Sequence, residues 1–141
     1  MTERNFMEML RAKWPETLLC VGLDTDPDKI PEGIDAFKFN AGIIYATKDL
    51  VCAYKPNFAF YEAWTPVGLE VLIETCEYIR AVAPDVPIIG DVKRGDIGKT
   101  NLGYIKAAFD IYGVDAVTVH PYLGREEGMQ VFLDRADKGI I

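Results

Sequence analysis

Short apolar runs alternate with stretches of helical spacing along this chain, and this alternation limits the possible folds more than any other feature. The apolar runs cover residues 18–23, 50–54, 86–89 and 116–119. Each strand-plus-helix unit is roughly thirty residues long, which is the size of a βα building block. The pattern predicts an α/β protein with parallel strands, helical crossovers and strands that are buried on both faces.

The helical stretches have recognisable ends. Helical spacing of apolar residues predicts helices near residues 6–14, 37–49, 66–79, 102–109 and 128–136. Thr65 is the predicted N-cap of the third helix, with Pro66 at its first position. Gly113 is placed to end the fourth helix. In the fifth, Met129, Phe132 and Leu133 are predicted to be buried. Residues 139–141 look like the start of a fifth strand.

Length and composition exclude several classes of protein. The chain has 141 residues, of which 50% are hydrophobic, so we expect one domain, residues 1–141, with a real core. The net charge of −7 argues against nucleic-acid binding. No apolar stretch is long enough to span a membrane, and the N-terminus lacks the profile of a signal peptide. A cytoplasmic location with no membrane contact is therefore predicted.

The cysteines and the histidine do not suggest a metal site. Cys20, Cys52 and Cys76 are far apart and lie within apolar stretches, so we interpret them as reduced core residues. A single histidine, His120, and the absence of Cys-x-x-Cys leave no plausible zinc set. The sequence also lacks Gly-x-Gly-x-x-Gly, the P-loop pattern and Gly-x-Ser-x-Gly, which disfavours dinucleotide-binding, P-loop and α/β-hydrolase folds.

Polar residues follow the apolar runs at the point where each strand is expected to end. They are Asp24, Lys55, Asp91 with Lys93, and His120. In parallel α/β folds the carboxyl ends of the strands carry the binding site, so a shared polar site is predicted at this edge.

The segment that follows the third run concentrates the charges. Asp91 and Lys93 are two residues apart, so on a strand their side chains point to the same face. Asp96 comes after Gly95, on a loop that can turn freely. A surface ion pair is the simpler interpretation and contributes little to stability. The position after a buried strand favours a functional site instead.

Three segments carry a resemblance to a known family. Residues 90–98, Gly-Asp-Val-Lys-Arg-Gly-Asp-Ile-Gly, resemble the signature of the orotidine 5′-phosphate decarboxylases. Residues 54–57 and 116–124 are similar to neighbouring segments in the bacterial branch of that family. The Asp-x-Lys-x-x-Asp spacing is typical of a wider superfamily of phosphosugar barrels, and Ile97 directly after Asp96 favours the decarboxylases.

This resemblance implies a (β/α)₈ TIM barrel that works as a homodimer without a metal or organic cofactor. The implied reaction is decarboxylation of orotidine 5′-phosphate to uridine 5′-phosphate in de novo pyrimidine biosynthesis. The implied catalytic residues form an alternating charge network of Lys55, Asp91, Lys93 and Asp96. Within it, Lys93 would stabilise a carbanion at C6 of the pyrimidine and then protonate it. Asp96 would reach into the partner subunit's site.

The resemblance also implies substrate-binding residues. Asp24 would hold a ribose hydroxyl, together with Lys55. Ile97 would line the pyrimidine pocket, and Thr100 would help to bind the ribose phosphate across the dimer interface. His120 is interpreted as a structural residue at a strand end, because Lys93 already supplies the proton.

Chains of this family are about twice as long as this one. We therefore expect the N-terminal half of the barrel, with an N-terminal helix, about four βα units and a stop in the fifth strand. Such a half is expected to be inactive alone. Two alternatives stay open: a metal-dependent sugar-phosphate aldolase or decarboxylase of the same barrel superfamily, and a non-catalytic half-barrel that acts as an assembly module.

Overall fold

The computed structural model describes residues 4–64 and 66–141. Its strands are β1 (Cys20–Leu23), β2 (Ala53–Pro56), β3 (Ile89–Arg94), β4 (Ala116–Val119) and β5 (Gly139–Ile140). Its α-helices are α1 (Phe6–Lys13), α2 (Ala36–Thr47), α3 (Phe58–Glu62), α4 (Val67–Val82), α5 (Gly98–Ile105) and α6 (Gln130–Leu133). A 3₁₀ turn covers Pro27–Lys29, and π-helical segments cover Lys106–Ile111 and Arg125–Met129.

The strands lie side by side in sequence order, and every pairing is parallel. β1 pairs with β2, and β3, β4 and β5 form one ladder. Two parallel bridges, Tyr54 with Ile88 and Asn57 with Asp91, connect β2 to β3. With helices between successive strands, this is the arrangement of half of a (β/α)₈ barrel. The predicted fold class, α/β with parallel strands and helical crossovers, is confirmed.

The core lies between the sheet and the helices. α4 turns Leu72, Cys76 and Ile79 inward, and all three are fully buried. Ile88, just before β3, and Val117 in β4 are also buried in the same cluster. Burial of a large aliphatic side chain stabilises a fold by about 1.5–3 kcal/mol. This apolar layer therefore stabilises the sheet whose strand ends carry the polar residues. Within the described ranges, no helix is both long and apolar enough to cross a bilayer.

Three strands begin later than the apolar runs predicted. The runs begin at residues 18, 50 and 86, but β1 starts at Cys20, β2 at Ala53 and β3 at Ile89. Residues 51–54 and 86–88 are buried, whereas Leu50 is exposed. Strand boundaries are set by pairing with neighbours, and the bridge between Asn57 and Asp91 carries the pairing past the end of the apolar residues. Asp91, Lys93 and Arg94 therefore lie within β3, and only Asp96 follows it.

Helix boundaries agree with the sequence to within a few residues, with some exceptions. α4 begins at Val67, one residue after the predicted start at Pro66. The predicted N-cap, Thr65, lies outside the described residues. Gly113 ends the helical segment after α5 with a φ of 68°, a left-handed conformation that glycine adopts without strain. The sequence did not predict α3 or the 3₁₀ turn.

The burial predicted for Cys20 and Leu133 was wrong. Cys20 is exposed, although Cys52 and Cys76 are buried and all three thiols are free. Leu133 is exposed too, because α6 turns only Phe132 fully inward. β1 pairs with β2 alone among the described strands. Its other edge is open, which leaves the run before and into β1 partly in solvent.

Candidate functional site

Charged side chains converge at the carboxyl ends of β1, β2 and β3. Asp24 follows β1, Lys55 lies in β2, and Asp91 and Lys93 lie in β3. Lys55 Nζ is 3.9 Å from Asp24 Oδ1 and 3.2 Å from Asp91 Oδ2, and Lys93 Nζ is 2.5 Å from Asp91 Oδ1. The four groups thus alternate in sign: Asp24, Lys55, Asp91, Lys93. We call them the charge relay row.

Asp91 is the buried centre of the charge relay row. Its side chain is only 8% exposed, whereas that of Lys93 is 60% exposed and can reach a ligand. Burial raises the pKa of Asp91, but hydrogen bonds from Lys93, Thr118 and Lys55 more than offset burial and hold that pKa below its usual value. Asp91 is therefore ionised at neutral pH and fixes both ammonium groups.

Thr118 is a member of the site that the sequence reasoning missed. Its Oγ1 donates to Asp91 Oδ1 at 2.9 Å and accepts a hydrogen bond from the backbone N–H of Lys93 at 3.0 Å. Thr118 lies in β4 two residues before His120, so period-two alternation from that strand end could have pointed to it.

The end of β1, next to Asp24, rests on a buried polar network. Thr25 Oγ1 donates to Asn40 Oδ1 at 2.5 Å, and Asn40 Nδ2 donates to Thr75 Oγ1 at 2.9 Å and to Tyr61 Oη at 3.1 Å. Tyr61 Oη donates to the carbonyl of Leu23 at 2.9 Å. These side chains are buried, so each hydrogen bond replaces contact with water that the group cannot make. The network ties α2, α3 and α4 to the end of β1, directly before Asp24.

Removing one hydroxyl should show how much this network contributes to stability. Tyr61→Phe is expected to lower the free energy of unfolding by about 1–3 kcal/mol, because the carbonyl of Leu23 and the amide of Asn40 lose a partner in the core. Burial raises the pKa of Tyr61 to about 12, so its hydroxyl remains a donor across the working range of pH. Chemical denaturation measures the change. Tyr45→Phe, at an exposed tyrosine, is the matched control and should change stability little.

Three predicted site residues lie apart from the charge relay row. Asp96 accepts a hydrogen bond from the N–H of Ile97 at 2.7 Å, and its own backbone is held by the side chain of Asn101. In residues 4–64 and 66–141, no ion pair joins Asp96 to a lysine or arginine. Ile97 and Thr100 are exposed. The side chain of Asn101 thus anchors the backbone of this loop, while Asp96 is only partly buried.

Gly95 lets this loop pass close to the end of β4. A Cβ at Gly95 would stand 2.6 Å from the carbonyl oxygen of His120, so only glycine fits without a backbone shift. The backbone N–H of His120 donates to the carbonyl of Arg94 at 2.8 Å. The side chain of His120 is exposed, and its structural role stays a prediction.

The geometry suits a ligand that carries both negative charge and hydroxyl groups. Lys93 and Lys55 offer ammonium groups, and the half-exposed carboxylate of Asp24 can accept hydrogen bonds; Asn57 Nδ2 donates to Asp24 Oδ2 at 3.3 Å. Across the described ranges, no group of three or more His, Cys, Asp or Glu side chains is arranged to hold a metal ion.

A parallel half-barrel with a charged site at the carboxyl ends of its strands defines a protein of the (β/α)-barrel class. Residues 17–140 match the model of the Orotidine 5′-phosphate decarboxylase / HUMPS family, and the chain belongs to this family. The family resemblance seen in the sequence is thus confirmed.

Individual relatives agree with this assignment. The chain is 50% identical over 137 residues to an orotidine 5′-phosphate decarboxylase of Dehalococcoides mccartyi, covering 96% of this chain and 49% of the relative. It is 48% identical over 140 residues to one of Herpetosiphon aurantiacus, covering 94% and 51%. The chain therefore spans about half the length of the curated relatives it matches.

Solved structures show the same fold. Leishmania donovani OMP decarboxylase is 32% identical, with a TM-score of 0.86 over 97% of this chain and 52% of that chain. Leishmania donovani UMP synthase is 33% identical, with a TM-score of 0.87 over 98% of this chain and 29% of that chain.

Proposed function

We propose that this chain supplies the N-terminal half of the active site of an orotidine 5′-phosphate decarboxylase, which converts orotidine 5′-phosphate to uridine 5′-phosphate in de novo pyrimidine biosynthesis. The charge relay row is the observation that carries the proposal, because it sets an accessible ammonium group beside a buried carboxylate. Relatives at about 50% sequence identity are named orotidine 5′-phosphate decarboxylases, which supports the same reaction.

The chemistry follows from where charge develops. In the reaction the bond between C6 and the carboxyl carbon breaks, CO₂ leaves, and the electron pair stays on C6. A fixed cation next to C6 stabilises that pair as it forms, which is the largest effect a preorganised site can supply. The Lys93 ammonium then donates one proton to C6, which gives uridine 5′-phosphate and a neutral lysine that regains its proton from solvent.

Asp91 has two roles in this mechanism. Its carboxylate holds Lys93 Nζ at 2.5 Å and Lys55 Nζ at 3.2 Å, so both cations are in place before substrate binds. It also opposes the carboxylate of the substrate, a repulsion that disappears as CO₂ leaves. The low pKa of Asp91 keeps this repulsion present at neutral pH.

The remaining substrate contacts belong to the same proposal. Asp24, which accepts a hydrogen bond from Asn57, binds a ribose hydroxyl. Ile97 lines the pyrimidine pocket. Asp96 and Thr100 reach the site of a second subunit in a homodimer, and the exposure of Thr100 supports this role. The enzyme works in the cytoplasm and needs no cofactor.

A sugar-phosphate aldolase or decarboxylase is the second candidate, since the matched family model also covers the HUMPS group. One assay separates the two. A polypeptide of the relatives' full length that begins with this sequence is incubated with orotidine 5′-phosphate, with and without EDTA. We expect uridine 5′-phosphate to form equally in both. Failure on this substrate together with EDTA-sensitive turnover of a sugar phosphate would favour the second candidate.

A further inference from the structure

We propose that Thr118 is a positioning residue for Lys93: its hydroxyl locks the backbone of Lys93 and the carboxylate of Asp91 into one rigid unit. This inference rests on the proposed function, in which Lys93 is the catalytic cation. Thr118 itself acts through its two neighbours.

The direction of each hydrogen bond is fixed by chemistry. A backbone N–H only donates, so Thr118 Oγ1 accepts from Lys93 N at 3.0 Å. An ionised carboxylate only accepts, so the one hydroxyl proton of Thr118 points to Asp91 Oδ1 at 2.9 Å. Asp91 Oδ1 also accepts from Lys93 Nζ at 2.5 Å. A closed ring results, from the Lys93 amide through Thr118 and Asp91 back to the Lys93 ammonium group.

The backbone of Lys93 needs this support. Its φ is 46°, and it is the one non-glycine residue in the described ranges with a positive φ. Side chains with a Cβ rarely adopt this conformation, and it persists only where the surroundings enforce it. The left-handed turn also changes the direction in which the side chain leaves the strand, so φ at this residue decides where Nζ lies.

The β-ladder cannot supply that support. Ile89 and Gly90 pair in register with Ala116 and Val117, but the next paired residue, Arg94, is opposite Val119. Three residues of β3 thus face one residue of β4, and that residue is Thr118. The hydroxyl of Thr118 takes the place of the strand carbonyl that the Lys93 amide would otherwise bind.

A side chain of the same shape without the hydroxyl isolates this effect. In the full-length polypeptide described above, Thr118→Val should lower kcat about 10- to 100-fold with little change in KM, because the misplaced ammonium group is needed only in the transition state. Thr118→Ser keeps the hydroxyl and should stay within a few-fold of the wild type. The acidic limb of the pH profile should move to higher pH in Thr118→Val, since Asp91 loses one of the hydrogen bonds that lower its pKa.

Thr47→Val is the matched control. Thr47 Oγ1 donates a hydrogen bond to the carbonyl of Ile43 at 2.7 Å and lies 2.8 Å from Tyr54 Oη. Neither partner belongs to the charge relay row. This variant removes a bonded hydroxyl of the same kind, so any loss of activity through lower stability alone should appear here too. It is expected to leave kcat and the pH profile unchanged.

Amide hydrogen exchange gives a readout that does not depend on activity. The Lys93 amide should exchange at least about 10-fold faster in Thr118→Val and normally in Thr118→Ser. Unchanged exchange at Lys93, or an unchanged kcat in Thr118→Val, would overturn the inference. A wild-type polypeptide that fails to turn over orotidine 5′-phosphate would instead overturn the proposed function, and the catalytic meaning of Thr118 with it, whatever the exchange at Lys93.

Discussion

Lys93→Ala is expected to lower the turnover of orotidine 5′-phosphate by at least about 10³-fold in a full-length polypeptide that begins with this sequence. The substitution removes both the cation that stabilises the developing carbanion and the proton that replaces CO₂, and each effect alone is worth about 10²-fold or more. The side chain of Lys93 is 60% exposed, so its loss should leave the fold intact. Turnover is measured by the conversion of substrate to uridine 5′-phosphate.

Asp91→Ala should be severely impaired as well, for a different reason. It leaves Lys55 and Lys93 without the carboxylate that fixes them, and it leaves the Thr118 hydroxyl without its acceptor.

Lys106→Ala, at an exposed lysine on the outer helical layer, is the control for the loss of a positive charge in Lys93→Ala and should keep normal activity. Near-normal decarboxylation by Lys93→Ala would show that the role assigned to Lys93 is wrong.

Sequence periodicity predicted the order of elements well because that order depends on local burial. The run at 116–119 became β4 with the same bounds, since charged or polar residues mark both of its ends. β3 was displaced towards the charges, because strand pairing with β2 and β4 decides its bounds and no single segment contains that information. The exposure of Cys20 has the same origin: an apolar run looks buried until the position of its strand in the sheet is known.

The site was predictable only in part. Period-two spacing was enough to place Asp91 and Lys93 on one side, where they make a direct ion pair. It could not reveal the left-handed backbone at Lys93, which distorts that same spacing, or the hydrogen bonds of Thr118. A threonine inside an apolar run fits a strand equally well with or without a buried partner. The roles proposed for Asp96 and Thr100 require a second subunit, whose surface no spacing along this chain describes.

The lateral edges of the sheet determine how the 141-residue polypeptide should behave on its own. Among the described strands, β1 pairs only with β2, and β5 pairs only with β4. Leu18 is 77% exposed and Leu19 50% exposed just before β1. At the other edge, an open cavity of about 500 Å³ is lined in part by Val119, Leu133 and Ile140. Unpaired strand edges beside apolar surface readily bind another chain.

We therefore expect the 141-residue polypeptide to self-associate or aggregate and to show no measurable decarboxylase activity. The parallel edge at β1 of one copy and that at β5 of another can continue a single sheet, which buries the leucines before β1. Activity should be absent because binding energy from the remote parts of the substrate, which positions the reacting carboxylate, requires contacts beyond those this chain provides. Size-exclusion chromatography and the same substrate assay measure the two properties.

Leu19→Glu sharpens the test. It places a charge at the open edge of β1 while the backbone carbonyl of residue 19 can still accept from the N–H of Cys52, at 2.8 Å in this structure. The variant should shift the elution profile towards the monomer without loss of helical content, whereas Tyr45→Phe, on an exposed helical face, should not. A wild-type polypeptide that elutes as a stable monomer and decarboxylates orotidine 5′-phosphate would show that these open edges need no partner and that the residues of this chain suffice for catalysis.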